Sequence, residues 1–446
     1  MPFRAESGTR SRVDWSFVAA VAGLALLGSL ALLSAASPLP HYTQVIQRQL
    51  TAILVGGMFF AIGVGFNYQV FQDQSKFIYA IILALLVAVL FVGTLSRGQR
   101  SWFHAGFFSF QPSELARIGL ILALSNFLDR QARKARDLST VLYALAIAGP
   151  VIALILKQPD LSSTVSFFPI IICMLFCAGV EVWHLLALFG YGTVIMATPV
   201  FYTMLQVRYP MAAHNSLPYL LLEVSRMGVG TVVALLLIVA SGLAAWRVSM
   251  WMRWQIKPAL FVGLAAILCA GLVTGNLVNK QIKGYQRNRL VAFLAPQSDI
   301  QGASYNVHQA QIAIGSGGFW GKGLFAGTQS QLGFLPERHT DFIFAVVGEE
   351  MGFVGATLIL GLYLVMIWRI VIAGRCARDR FGFLVCCGIA AMLSFSLIVN
   401  LGMCLGLMPV MGIPLPLISY GGSSLVITLG ALGIVGNIYA RRYSLL

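Results

Sequence analysis

The residues Pro336-Glu337-Arg338-His339-Thr340-Asp341 set four ionisable side chains at the mouth of a long apolar stretch. Only 10% of the 446 residues are charged, so the cluster is unusual. Ionisable groups at membrane depth are costly and mark chemistry or a transport path. Asp341 is the candidate catalytic residue. Tuned by burial and by Arg338 and His339, its carboxylate can take a proton from an attacking hydroxyl. It can equally ligate Mg2+ or Mn2+, because hard cations prefer carboxylate oxygens. It can also cap the next helix, a role compatible with either.

Other polar stretches supply substrate-binding candidates. Arg97-Gly98-Gln99-Arg100-Ser101-Trp102-Phe103 offers Arg100 and Trp102, the indole serving as an interfacial anchor or a platform for a sugar ring. Lys157-Gln158-Pro159-Asp160 offers Lys157, a cation for a departing anion, and Asp160. Arg338 and His339 join them. Pro409, Pro414 and Pro416 break the helical pattern before Gly421-Gly422-Ser423-Ser424. The free N–H groups of the helix starting near Ser423 suit a diphosphate on a lipid carrier, and a plain proline-rich turn is the alternative. Gln111-Pro112-Ser113-Glu114 looks like a helix start, with Arg117 at ion-pair spacing from Glu114. The glycines at 315–323 do not form a phosphate-binding loop, since Ser316 and Gly323 break that motif. Glu349 and Glu350 would lie about 12–14 Å beyond Asp341 on a straight helix. On that geometry they cannot pair with it. Either 341–350 forms a separate interfacial helix, or these glutamates bind polar groups in the bundle.

The elements that hold these residues are membrane helices. The chain is 58% apolar with 29 phenylalanines, which excludes a soluble domain and indicates an all-α polytopic membrane protein. Twelve stretches are long enough to cross the hydrocarbon core: about 15–37, 50–67, 77–95, 112–128, 138–156, 161–180, 182–204, 228–246, 258–277, 342–368, 382–405 and 419–440. Arg4, Arg10 and Arg12 precede a first run too long for a cleaved signal, so it reads as a signal anchor. With the N-terminus inside, cytoplasmic segments carry 17 of the 30 Lys and Arg, and the short outer loops carry six. The net charge of +15 is therefore topology, not a nucleic-acid footprint. Both termini fall inside and all the unusual motifs outside. Seven cysteines without metal-ligand spacing read as small buried hydrophobes.

The segment Gln329 to Phe342, with Gly412-Ile413-Pro414-Leu415-Pro416 through Ser424, resembles the SEDS family of shape, elongation, division and sporulation proteins. Gln111 to Glu114 and Lys157 to Asp160 agree, and Gly327 to Ser330 with Glu337-Arg338 resembles the rod-shape branch more than the division branch. The resemblance implies a peptidoglycan glycosyltransferase of the bacterial inner membrane. It would polymerise lipid II at the outer leaflet with a class B penicillin-binding protein as transpeptidase partner. It places the family's essential acid on Asp341 and the aromatic of its Arg-x-Trp loop on Trp102. One base with no second carboxylate beside it suits inversion. The expected organisation is a single membrane domain over 1–446, an inserted helix pair at 205–277 relative to a ten-helix core, and a large extracytoplasmic loop at 278–340. The rivals are a flippase or transporter of lipid-linked precursor and a non-catalytic synthase scaffold.

Overall fold

The computed structural model describes residues 13–96, 99–105, 108–209, 216–225, 227–254, 257–298 and 302–442. Arg4, Arg10, Arg12, Arg97 and Arg226 lie outside these residues. Long apolar runs fold as helices because, without water, the backbone must satisfy its own hydrogen bonds. The first half of the chain contains α1 (Trp15–Ala36), α2 (Tyr42–Gly65), the short α3 (Gln69–Asp73) and α4 (Ser75–Val92). Strands β1 (Thr94–Ser96), β2 (Gln99–Ala105) and β3 (Phe108–Phe110) follow, then α5 (Pro112–Arg130), α6 (Leu138–Lys157) and α7 (Leu161–Cys177). Next come α8 (Val182–Arg208), α9 (Leu217–Val224), α10 (Val229–Trp251), α11 (Pro258–Gln281) and α12 (Gly284–Leu294). The rest comprises α13 (Ala303–Ser316), α14 (Thr328–Gln331), α15 (Ile343–Arg375), α16 (Arg380–Cys404) and α17 (Gly422–Ala440).

All twelve expected spans appear as helices, and ten are long and apolar enough to cross a bilayer. The two exceptions have clear causes. Glu114, Arg117, Asp129 and Arg130 dilute the apolar character of α5, and α7 is only 17 residues long. The three strands form an antiparallel sheet in the order β1-β2-β3, with Thr94 opposite Trp102 and Phe103 opposite Phe110. From sequence alone this stretch is expected to be a loop. The segment 278–340 is likewise expected as one loop, yet much of it is the end of α11 together with α12, α13 and α14. These helices are short and mixed in polarity, so they carry no hydropathy signal.

The chain divides into two compact units. One comprises residues up to Gly179 with Val307–Leu407 and Met411 onward. In it α2 runs along α17, and their backbones meet where a Cβ on Gly63 would touch Gly433. Helix α1 packs on α15, with Asp14 capping α1 and pairing with Arg369 at 2.6 Å. Helix α16 packs against α5, α7 and α15. The other unit comprises Val180–Asn306 with Met408–Val410, in which α11 packs along α8 and α10 packs on α11. Helix α10 and most of α11 fall within the expected insertion at 205–277, and the unit holding them starts at Val180. All seven cysteines are free thiols. Cys376 departs from the expected burial because it sits at the exposed C-cap of α15.

Candidate active site

The turn carrying Asp341 runs straight into α15. Phe342, not Asp341, holds the N-cap position, and no side chain caps there. The Asp341 side chain is half-buried, and its backbone is fixed from two other elements. Asn400 Nδ2 of α16 donates to Asp341 O at 2.9 Å and to Ile413 O at 3.0 Å. Ser419 Oγ donates to Thr340 O at 2.7 Å, and Tyr420 N donates to His339 O at 2.9 Å. Ser419 Oγ also accepts from Leu415 N at 2.8 Å, and the His339 and Tyr420 rings lie 5.8 Å apart. Two stretches separated by about seventy residues are thus one object. The proline-broken segment after α16 is the bracket that holds the acidic turn. Glu337 adopts φ 52, and its carbonyl accepts from Thr340 N at 3.1 Å, which tightens the turn.

Arg338 is 6% exposed, and its Nε donates to Ala35 O at 2.9 Å, at the end of α1. Burial lowers its pKa from the usual arginine value. One edge of the guanidinium is therefore committed to positioning the turn. Asp160 is also engaged. Its carboxylate caps α7 by accepting from Ser163 N at 3.0 Å and Ser163 Oγ at 2.7 Å, and it accepts from Gln111 Nε2 at 2.9 Å. The two signatures at 111–114 and 157–160 are joined directly through that last bond. Gln158 is buried and donates to Leu86 O at 3.2 Å, whereas Lys157 is exposed at the end of α6. Ser162 Oγ donates to Met411 O, which ties the start of α7 to the same bracket.

Trp102 is half-buried in β2, and its carbonyl accepts from Thr94 Oγ1 at 3.1 Å. Arg100 is exposed, opposite Leu95. Strand β2 rests on α4 and α5, and β3 rests on α17. Ser423 is buried in the first turn of α17, whose N-cap Gly421 provides no side-chain cap. Glu114 and Arg117 form the expected buried pair at 2.5 Å.

Glu349 and Glu350 bind polar groups in the bundle, and they sit on a helical piece of their own. Helix α15 breaks at Gly352 (φ 63, ψ −161), so 343–351 is a separate helical piece. Only glycine adopts that conformation easily, and a Cβ there would collide with Gly321 N. Glu349, with 0% exposure, accepts from Gln329 N at 2.8 Å, Ser330 N at 3.0 Å, Lys322 Nζ at 2.9 Å and Thr328 Oγ1 at 3.1 Å. Glu350 accepts from Ser34 Oγ at 2.7 Å, Ser330 Oγ at 3.1 Å and Gln331 Nε2 at 3.2 Å. Together they anchor the loop before Asp341 to α1 and α15. Sequence singles out Glu349 and Glu350 but not Asn400 or Ser419. Two adjacent acids in an apolar run were the available signal, because a buried carboxylate demands donors.

No group of three or more His, Cys, Asp or Glu able to hold a metal occurs among the described residues. A lone carboxylate fits Mg2+ or Mn2+ only as one ligand alongside substrate phosphates and water, an arrangement usual for Mg2+.

The family model described as FTSW_RODA_SPOVE, cell cycle protein, matches residues 12–216 and 220–444. Peptidoglycan glycosyltransferase MrdB of Escherichia coli (strain K12) is 33% identical over 399 residues, covering 89% of this chain and 86% of that protein. Peptidoglycan glycosyltransferase RodA of Treponema pallidum (strain Nichols) is 34% identical over 392 residues, covering 84% and 85%. A chain solved in work on structural coordination of polymerization and crosslinking by a peptidoglycan synthase complex superposes with TM-score 0.65. It is 30% identical, with 97% of this chain and 98% of that one covered. Rod shape determining protein RodA of Thermus thermophilus gives TM-score 0.59 at 28% identity, with 97% and 98% covered. The motifs, the helices that hold them and these likenesses agree, and the chain belongs to the FtsW/RodA (SEDS) family of polytopic membrane proteins.

Proposed function

We propose that this chain is a peptidoglycan glycosyltransferase that polymerises lipid II at the outer leaflet of the bacterial cytoplasmic membrane during cell elongation. On this reading both termini are cytoplasmic and a class B penicillin-binding protein crosslinks the product. The names of its relatives support the activity. The observation that carries the site is the fixing of the Asp341 turn by Asn400, Ser419 and Tyr420. A carboxylate on so restrained a backbone is suited to act at one position, which is where proximity contributes most to rate.

Asp341 takes the proton of the acceptor sugar hydroxyl as its oxygen bonds to the anomeric carbon of the donor. The anomeric bond to phosphate breaks, and the lipid diphosphate leaves with the electron pair. One base without a neighbouring nucleophile gives inversion. Lys157 and Arg100, both exposed, are available to the departing diphosphate, and Trp102 offers a face to a sugar ring. Arg338 and Asp160 serve chiefly as positioning residues, His339 holds the turn against Tyr420, and Ser423 lines the start of α17. A divalent cation would be held by Asp341 and the diphosphate, where it would offset leaving-group charge.

The test is glycan polymerisation from lipid II by the purified chain, with and without its partner. Asp341→Asn should lose roughly 10²–10⁴-fold in rate, the usual contribution of a general base. Normal polymerisation by that variant would sink the mechanism. Wild-type activity that survives chelation identifies a base. Activity lost to chelation and restored by Mn2+ identifies a ligand instead.

A further inference from the structure

The pair α10–α11 encloses an apolar cavity of about 410 Å³, lined by Gly242 and Trp246 on one side and Pro258, Phe261, Val262 and Cys269 on the other. That volume falls within the roughly 300–1,000 Å³ typical of ligand sites. From Pro258 to Cys269 the groove runs about 17 Å at 1.5 Å per residue. This is close to half the ~30 Å hydrocarbon thickness, the depth of one leaflet. The groove opens outward, for Val262 is 66% exposed.

Its other end is not apolar. Pro258 is the first residue of α11, and the turn before it carries Lys257 and Arg253, with Arg247 one turn back on α10. All three cations are exposed, and no Asp or Glu occurs from 229 to 281. Pro258 has no N–H and Leu260 N donates to Lys257 O at 3.0 Å, so the start of α11 offers an anion the positive end of its helix dipole. Trp251, 85% exposed, and Trp254 flank the same turn, as side chains that sit at headgroup level do. An apolar slot one leaflet deep, with exposed cations and tryptophans beyond its polar end, has the chemistry of a phospholipid. The charge selects an anionic headgroup.

We propose that the α10–α11 groove binds one anionic phospholipid, with an acyl chain in the cavity and the phosphate against Arg253, Lys257 and the first turn of α11. The partner is a bilayer lipid. The site lies within the 180–306 unit and does not depend on the catalytic reading.

The test uses the full chain in detergent, titrated with dioleoyl phosphatidylglycerol or dioleoyl phosphatidylcholine and read by native mass spectrometry. Phosphatidylglycerol should be retained one per chain and preferred. Arg253→Gln with Lys257→Gln should lose that preference by about 25-fold, at about fivefold per cation. Gly242→Leu should weaken both lipids by filling the slot, and its Cβ makes only ordinary van der Waals contact, with Ala265 Cβ at 3.4 Å and Phe261 O at 3.7 Å. Equal retention of the two lipids, or a double variant that binds like wild type, overturns the proposal. Displacement of phosphatidylglycerol by an equimolar polyprenyl diphosphate, or by the class B partner, also overturns it, making the groove a substrate-tail site or a helix-docking surface.

Discussion

Replacing Glu349 by glutamine tests whether the buried acid holds the loop before Asp341 in place. Oε1 accepts from Gln329 N, Lys322 Nζ and Thr328 Oγ1, while among the described residues Oε2 accepts from Ser330 N alone. A glutamine keeps a carbonyl where three donors converge and turns its NH2 toward the Ser330 amide. The three retained bonds fall from charged to neutral strength, about 1 kcal/mol each, and the Ser330 N–H becomes an orphan at about 1–3 kcal/mol. The Lys322 side chain is 26% exposed and can rehydrate, which discounts its share. The net cost is at least about 3 kcal/mol, or roughly a hundredfold or more in local opening. Hydrogen exchange should show the amides of Gln329 and Ser330 losing protection by about that factor, with α16 and α17 unchanged. Lys322→Met keeps the backbone donors and should cost about 1 kcal/mol or less. Unchanged protection of 325–331 in Glu349→Gln would refute the assignment of the acid as the organiser of that loop.

Asn400→Leu should slow lipid II polymerisation at least tenfold with Asp341 intact, because the buried Ile413 carbonyl loses its donor at about 1–3 kcal/mol and the Asp341 carbonyl keeps only the weak Cys404 Sγ contact. Part of that loss is offset, since Asn400 Oδ1 has no hydrogen-bond partner among the described residues. A rate equal to wild type would separate the bracket from catalysis. Gly352→Ala forces a side chain into a glycine-only conformation at about 1–3 kcal/mol and adds a collision with Gly321. Its thermal unfolding midpoint in detergent should fall, and an unchanged midpoint would mean the break is not under strain.

The helices were legible because long apolar runs announce themselves, down to the buried Glu114–Arg117 pair at the start of α5. The sheet at 94–110 was not, since strands of three to seven residues carry too little alternation to register. Asp341 was legible from charge density in a nearly uncharged chain. Its supports were not. Asn400 lies in a plain apolar helix, and Ser419 looks like any turn serine, yet both reach the Asp341 turn across long stretches of chain. Arg338 and Asp160 were legible as unusual residues, whereas their engagement with Ala35 O and with α7 depends on tertiary neighbours that no local pattern encodes.

The break at Gly352 is spliced by the loop before it. Lys322 N and Gly323 N donate to Glu349 O and Glu350 O on one side, while Phe353 N and Val354 N donate to Gly318 O and Phe319 O on the other. A joint bridged on both sides by one short segment has a fixed stride. Adding or deleting a single residue between 319 and 322 would prevent the two pairs of bonds from forming together. Among the described residues, the turn between α10 and α11 makes only local backbone hydrogen bonds. Length variation among relatives should therefore accumulate at the α10–α11 turn and be absent from 319–322, although both read in sequence as surface connections.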